Sequence, residues 1–527
     1  MAQSGMRAGW MSASDRPSTR AVDHLGMKVP TQALVAELID FTTTQTYRPR
    51  YFSFLCWAWS EFMRRRARRD ADGWRWSDSA FNAWMKRQEW WVLVASRLDD
   101  ASAPRLRGLT KADWVLSTEP EEIHLVTDFL RASTGSLGDY RSSLRHLGLI
   151  HADDGGDEVP TEVGDALAEA FRRCVAQAGF LPYIEADTQP VERLRAYGAA
   201  CALHRLDDPT ETRLLRLCFE QSPRRRAQLA LLLRLHAVPD FRRAVYLGVH
   251  SYGPDEQGWP LELAPVHDKA LDRWWLFSAR ENITFGLEAM LLGARMLLAP
   301  LEVAHQNTLD ALLDAAVTVY RDYDDPLYPL DAPSSAAALA VADRHVWPTG
   351  HASQSGSLGP RFPGENWPDD PDWLWTDWDE AETCITWGFD ILLGTALRWR
   401  ALRRQDPERF SWPDVVPHAR TPLDRVLEYL EMKGSPTDVF RAVLRDLVIQ
   451  QHLDTTFRKL LAQPKIDSAR LVVEDGRLWN TTLAFGPTVS ASRIAQARAF
   501  LVDLGWLSDG KLTADGESLA TAFEAQA

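Results

Sequence analysis

The chain has 527 residues, 45% of them hydrophobic and 25% charged, and a net charge of −14. That length leaves room for about three domains with buried cores, and the acidic balance excludes a surface coated throughout by nucleic acid while permitting a local basic patch. Cys56, Cys174, Cys201, Cys218 and Cys384 form no C-x-x-C pair and no zinc spacing, which points to reduced thiols, no bound metal and a cytoplasmic location.

Residues 1–26 read as a flexible tail, because "MAQSGMRAGWMSASDRPSTR" has no apolar core of a signal peptide. No apolar run approaches about 18 residues, so no membrane span is expected. Residues 27–103 read as an N-terminal helical region. Within it, 51–63 are apolar on nearly every face of a helix, which assigns Tyr51, Phe54, Leu55, Trp57, Ala58, Trp59 and Phe62 to a core. Arg64 to Arg69 close that helix, where cations suit the dipole. Pro49 fits the first helical turn, so Arg48 and Arg50 sit at the wrong end of the dipole and call for an anion. Glu89 of a neighbouring helix and a nucleic-acid phosphate both answer that need.

Two stretches of the chain repeat each other. "LGDYRSSLRHLGLIHADDGGDEVPTEVGDALAEAF" (137–171) matches "IAQARAFLVDLGWLSDGKLTADGESLATAF" (494–523). Residues 137–150 align without a gap onto 494–507, pairing Leu144 with Leu501, Leu147 with Leu504 and Gly148 with Gly505. After a spacer five residues shorter in the second copy, Thr161 pairs with Thr513, Gly164 with Gly516, Leu167 with Leu519 and Phe171 with Phe523. Leu137, Tyr140, Leu144 and Leu147 share one helical face, as do Ile494, Ala497, Leu501 and Leu504. The glycines suit a left-handed helix stop. A short strand, a polar turn and "T-x-x-G" opening a second helix follow.

This order of elements resembles the winged helix-turn-helix, over about 70 residues at each site (104–175 and 455–527). The resemblance makes 137–149 and 494–504 recognition helices. In the first copy it implies DNA contact by Arg141 and Arg145, one turn apart, by Ser142 through a phosphate, and by His146 beside them; Arg48 and Arg50 join that candidate set. In the second copy Arg498, Val502 and Trp506 suit a protein interface, to a partner or to a second copy of the chain. The acidic first wing, "HADDGGDEVP", departs from the usual basic wing and puts wing contact with phosphate in question.

Residues 176–420 read as a helical middle domain, clearest at 211–249 and 274–320. "SPRRRAQ" (222–228) places arginines at a helix start, a weak pointer to an anion. Glu281 and Glu288, two turns apart, read as salt-bridged core acids rather than metal ligands. "HDKALD" (267–272) and "EMK" (431–433) are similar to hydrolase and nuclease motifs but depart from their spacing or setting. No phosphate-binding loop, dinucleotide fingerprint or H-E-x-x-H is present. A loop insertion at 321–384 holds His345 and His351, which read as solvated, and the Trp-rich acidic "GENWPDDPDWLWTDWDEAETC". That stretch fits a packed surface loop, a dock for a basic partner or a cover for the protein's own basic surface. A linker (404–422) leads to a C-terminal winged-helix module, 421–527, in which "LVVEDGRLWN" predicts a hairpin with an Asp-Gly turn.

"TYRPRYFSFLCWAW" and "KRQEWWVLVA" (86–95) also resemble the start of uncharacterised helical proteins of bacterial defence islands. Together these readings predict a mostly α protein with two winged helix-turn-helix domains around a large helical middle domain. The expected role is a non-catalytic, cofactor-free DNA-binding or adaptor subunit of an anti-phage defence or DNA-processing complex, with DNA and co-encoded proteins as partners. A winged-helix transcription regulator and an unrecognised nuclease or hydrolase are the alternatives.

Overall fold

The computed structural model describes residues 23–43, 45–70, 77–102, 106–119, 121–130, 135–153, 158–236, 264–323, 326–346, 380–405, 422–431, 434–462, 469–481, 486–487 and 493–525. Most of the N-terminal tail, His351, Trp-rich residues 364–379, linker residues 406–421 and the last two residues of "EMK" lie outside these. So do the side chains of Arg66 to Arg69, His345, Asp268, Lys269 and Asp272.

The chain is mostly helical, as its periodicity predicts, and forms two compact units. One, the repeat unit, comprises 36–239 and 491–527; the other, the helical unit, comprises 1–35 and 240–490. Residues 421–490 therefore fold with the middle of the chain, while 491–527 join the N-terminal half.

In chain order come α1 (Lys28–Leu38, crossing the division at Val35), α2 (Arg50–Asp70), α3 (Asp78–Asp99), α4 (Leu109–Thr118), β1 (Glu122–His124), α5 (Leu137–His146), β2 (Ile150–Ala152), β3 (Glu158–Pro160), α6 (Glu162–Gln177), β4 (Thr188–Pro190), α7 (Val191–Cys201), α8 (Pro209–Glu220) and α9 (Pro223–His236). The helical unit supplies α10 (Asp268–Val303), α11 (Leu309–Asp322), α12 (Ser335–Val346), α13 (Ala381–Gln405), α14 (Pro422–Leu430), α15 (Pro436–Ala442), a π-helical stretch (Val443–Gln450), α16 (Gln451–Ala462), β5 (Leu471–Glu474) and β6 (Arg477–Asn480). The repeat unit closes with α17 (Ile494–Asp503), β7 (Leu507–Ser508), β8 (Lys511–Leu512) and α18 (Ala514–Ala525). The described strands pair as four antiparallel two-stranded sheets, β1–β4, β2–β3, β5–β6 and β7–β8.

The aromatic block predicted to be core is the core of the repeat unit. Phe52 of α2 meets Tyr140 of α5, Phe219 of α8 and Phe500 of α17, with ring centres 5.4, 6.1 and 6.0 Å away. Two of the indoles packed here donate to backbone carbonyls, Trp84 Nε1 to Ala58 O at 2.7 Å and Trp90 Nε1 to His124 O at 3.0 Å. The five cysteines are free, buried thiols.

The helical unit is built on the crossing of α10 and α13. A Cβ on Gly286 would stand 2.6 Å from Gly388 O, and one on Gly388 2.7 Å from Gly286 O, so only glycine lets these backbones meet. Phe285, Ala289, Cys384 and Ile391 fill the space beside the crossing. Within α10, Ala279–Val303 is long and apolar enough to cross a membrane, although the sequence shows no uninterrupted run; 67% of its most apolar window is buried in the fold, as in a core helix. Glu288 pairs with Lys28 at 3.2 Å, the predicted role of a salt-bridged core acid. The Asp475-Gly476 turn closes β5–β6 with both residues at positive φ, as its sequence predicts.

Candidate functional site

The two sequence repeats have the same backbone construction. In the first, α5 ends at Gly148 (φ 67°), and Leu149 N donates back to Leu144 O at 2.9 Å. Thr161 Oγ1 donates to Gly148 O at 2.7 Å and accepts from Gly164 N at 3.1 Å, which caps α6. In the second, α17 ends at Gly505 (φ 72°), Trp506 N donates to Leu501 O at 2.9 Å, Thr513 Oγ1 donates to Gly505 O at 2.8 Å and accepts from Gly516 N at 3.1 Å. A Cβ on Gly164 would stand 2.2 Å from Leu149 O, and one on Gly516 2.2 Å from Trp506 O. The aligned residues are thus the ones that close the hairpin onto the second helix.

The solvent face of α5 carries the predicted contact residues. Arg141 and Arg145 side chains are 48% and 55% exposed, and Ser142 and His146 are exposed as well. Both guanidiniums bind Glu158, the first residue of β3, whose side chain is 6% exposed beneath them; each takes a different carboxylate oxygen. Arg107 pairs with Asp139 on the same helix. His146 Nδ1 lies 3.2 Å from Asp40 O. The segment 137–160 holds five acids against two arginines, so the pair is presented on an acidic module and one carboxylate already offsets part of its charge.

The matching face of the second copy is only partly turned into its own unit. Asp503, at the position of His146, accepts from Arg48 Nη1 at 2.7 Å. Burial pushes the Asp503 carboxyl up to about 7, against the pull of Arg48. Arg493, before α17, donates to Ile39 O and Thr42 O. Arg216 of α8 donates to Leu504 O at 2.7 Å, binds Asp515 and lies over the Trp506 ring. Arg234 of α9 binds Glu517 and Glu524 of α18. Trp506 is 2% exposed, so it packs inside the unit instead of facing a partner; its aligned residue, Leu149, is equally buried. Arg498 and Val502 are exposed.

Arg48 and Arg50 have their anions within the chain. Arg50 is 2% exposed; its guanidinium binds Glu211 at 3.2 Å and donates to Ala200 O and Ala202 O, each at 2.9 Å. Burial opposes its charge, but Glu211 more than offsets this and the Arg50 pKa is raised. Neither cation uses Glu89, whose carboxylate accepts from Ser136 N at the start of α5, at 2.9 Å. Two arginines of "SPRRRAQ" are likewise held internally: Arg224 by Glu37 and Arg225 by Asp40, both oxygens of the latter engaged. Sequence reasoning missed Glu158, Glu211 and Asp40 as counter-charges. The acidic wing was the available signal for the first; the other two are set by contacts distant in sequence.

Among the described residues no group of three or more His, Cys, Asp or Glu could hold a metal ion. No family model matches the chain, and no curated protein or solved structure matches it.

Proposed function

We propose that the protein is a non-catalytic cytoplasmic subunit of a DNA-processing or anti-phage defence assembly, with the two repeats acting as winged helix-turn-helix domains of unequal use. The first repeat touches DNA through Arg141, Ser142 and Arg145. The second serves the fold, and leaves Arg498 and Val502 for a co-encoded protein.

The observation that carries this reading is the solvent face of α5. Two arginines one turn apart, with a serine between them, stand on the helix that precedes the hairpin, and Glu158 holds both guanidiniums in place. Arg50 is removed from the interface by its burial, and Arg48 by its pairing with Asp503. Because Glu158 offsets one of the two charges, contact with phosphate is weak and strongly salt-dependent, which suits a subunit that acts alongside other DNA-binding chains.

The test is titration of a labelled random-sequence duplex with the purified chain at low salt, alone and with the products of neighbouring genes. Weak binding that loses affinity steeply with salt supports the proposal. Tight binding to one short operator, with strong discrimination against random DNA, supports a transcription regulator instead. Binding neither to DNA nor to any co-encoded protein overturns it.

A further inference from the structure

Helix α5 opens without a cap of its own. Ser136, the residue before it, makes no side-chain bond to the first turn, and the leading N–H groups of a helix need acceptors from elsewhere. Glu89 of α3 supplies one: its carboxylate accepts from Ser136 N at 2.9 Å, and both residues are buried. An anion there also suits the helix dipole. Burial pushes the Glu89 carboxyl up, while Ser136, Arg107 and Lys86 pull it back.

The turn into α5 is shaped around this carboxylate. Gly135 stands at φ 60°, and a Cβ on it would lie 2.4 Å from Glu89 Oε2. On the same turn of α3, Lys86 Nζ donates to Thr127 O and Leu130 O, each at 3.2 Å, and Trp90 Nε1 donates to His124 O. Lys86, Glu89 and Trp90 thus hold the segment that leads to α5. Within the first turn of α5, Arg107 binds Asp139 and Tyr140 stacks on Tyr51, with ring centres 4.8 Å apart. The rotation of α5 about its axis, and so the direction of Arg141 and Arg145, is set at this end.

The second copy is built differently here. The residue aligned with Ser136 is Arg493, a cation in the left-handed region (φ 59°) that makes no side-chain cap on α17 and donates instead to Ile39 O and Thr42 O. The carboxylate anchor goes with the copy that carries the exposed arginine pair.

We infer, on the reading of α5 as the DNA-contacting helix, that Glu89 is a positioning residue for that contact: by holding Ser136 N it fixes the setting from which Arg141 and Arg145 reach phosphate. Salt-dependent binding of one duplex by the full chain separates this from a role in stability alone, with Arg141→Ala plus Arg145→Ala as the control. A variant that only unfolds more of the chain loses affinity by one factor at every salt concentration and keeps the slope, whereas a displaced arginine pair loses phosphate contacts and lowers the slope.

Glu89→Ala should lose about three- to tenfold at low salt and lower the slope towards that of the control. Glu89→Gln, which keeps an acceptor oxygen for Ser136 N, should bind as wild type. Gly135→Ala should act like Glu89→Ala, and adding it to Glu89→Ala should cost no further affinity, because the two disturb one contact. Without DNA, amide exchange of residues 137–146 should quicken in Glu89→Ala. Wild-type affinity and slope in Glu89→Ala beside a weakened control, a loss of affinity at constant slope, or unchanged exchange in α5 overturns the inference and leaves the DNA reading standing. A control that binds as wild type overturns that reading, and the inference with it.

Discussion

The first and second repeats share a backbone and differ in what their first helices face. In α5, Arg141 and Arg145 point to solvent and hold only Glu158. In α17 the aligned positions are Arg498 and Val502, and the residue aligned with His146 is Asp503, committed to Arg48. The aligned position of Glu158 is Gly510, so the second copy keeps neither the arginine pair nor its carboxylate. One backbone thus carries two different surfaces, an exposed arginine pair over a carboxylate in the first copy and, in the second, an exposed Arg498 and Val502 beside the Arg48–Asp503 pair.

The largest expected effect separates framework from interface by stability. Trp506→Ala should cost about 3–5 kcal/mol, as for other fully buried aromatics, whereas Arg141→Ala with Arg145→Ala should cost under about 1 kcal/mol, since the groups are half exposed. Chemical denaturation measures both; a larger loss in the arginine variant would reverse the roles assigned to the two copies.

Gly164→Ala and Gly516→Ala probe what the repeats share. Each new methyl would meet a carbonyl oxygen at 2.2 Å, and each should cost about 1–3 kcal/mol as overpacking does. Similar losses are expected. A neutral substitution at either site would show that the two hairpins do not close in the same way.

Acid titration distinguishes the copies next. The folded pKa of Asp503 is raised to about 7, above the unfolded value near 3.9. The folded state therefore binds more protons between these values, and this group's stabilising contribution, full below about pH 4, is lost as pH rises through 7. Asp503→Asn should remove that slope, at most about 1.4 kcal/mol per pH unit, from melting curves collected at pH 5 to 8. Identical slopes in the two proteins would contradict the buried setting of this carboxylate.

Glu158→Gln carries the smallest stability effect, under about 1 kcal/mol, but should raise affinity for duplex DNA about three- to tenfold by freeing both guanidiniums' charge for phosphate. An unchanged or weaker affinity would show that Glu158 is needed to hold the arginines.

Much of this was legible in the sequence because it is local. Leu144 and Leu501, Gly148 and Gly505, Thr161 and Thr513 sit at fixed offsets set by helix period, left-handed stop and cap, and the structure uses them so. The Asp-Gly turn and the apolar α2 are legible for the same reason. Charge pairing is different. Arg48 finds Asp503 across 455 residues of chain, and Arg50 finds Glu211 across 161; nothing in a local window selects those partners. The return of 491–527 to the N-terminal half is hidden for that reason too. The burial of Trp506 was readable, since the repeat aligns it with Leu149, an inward residue of the first copy.

The most direct test is salt-dependent binding of one duplex by three proteins: wild type, Arg141→Ala with Arg145→Ala, and Arg498→Ala with Val502→Ala. The first-copy variant should lose about tenfold or more at low salt and lower the slope of log affinity against log salt by about 2, one unit per phosphate contact, while the second-copy variant follows wild type. Equal behaviour of all three, or loss only in the second-copy variant, would contradict the account.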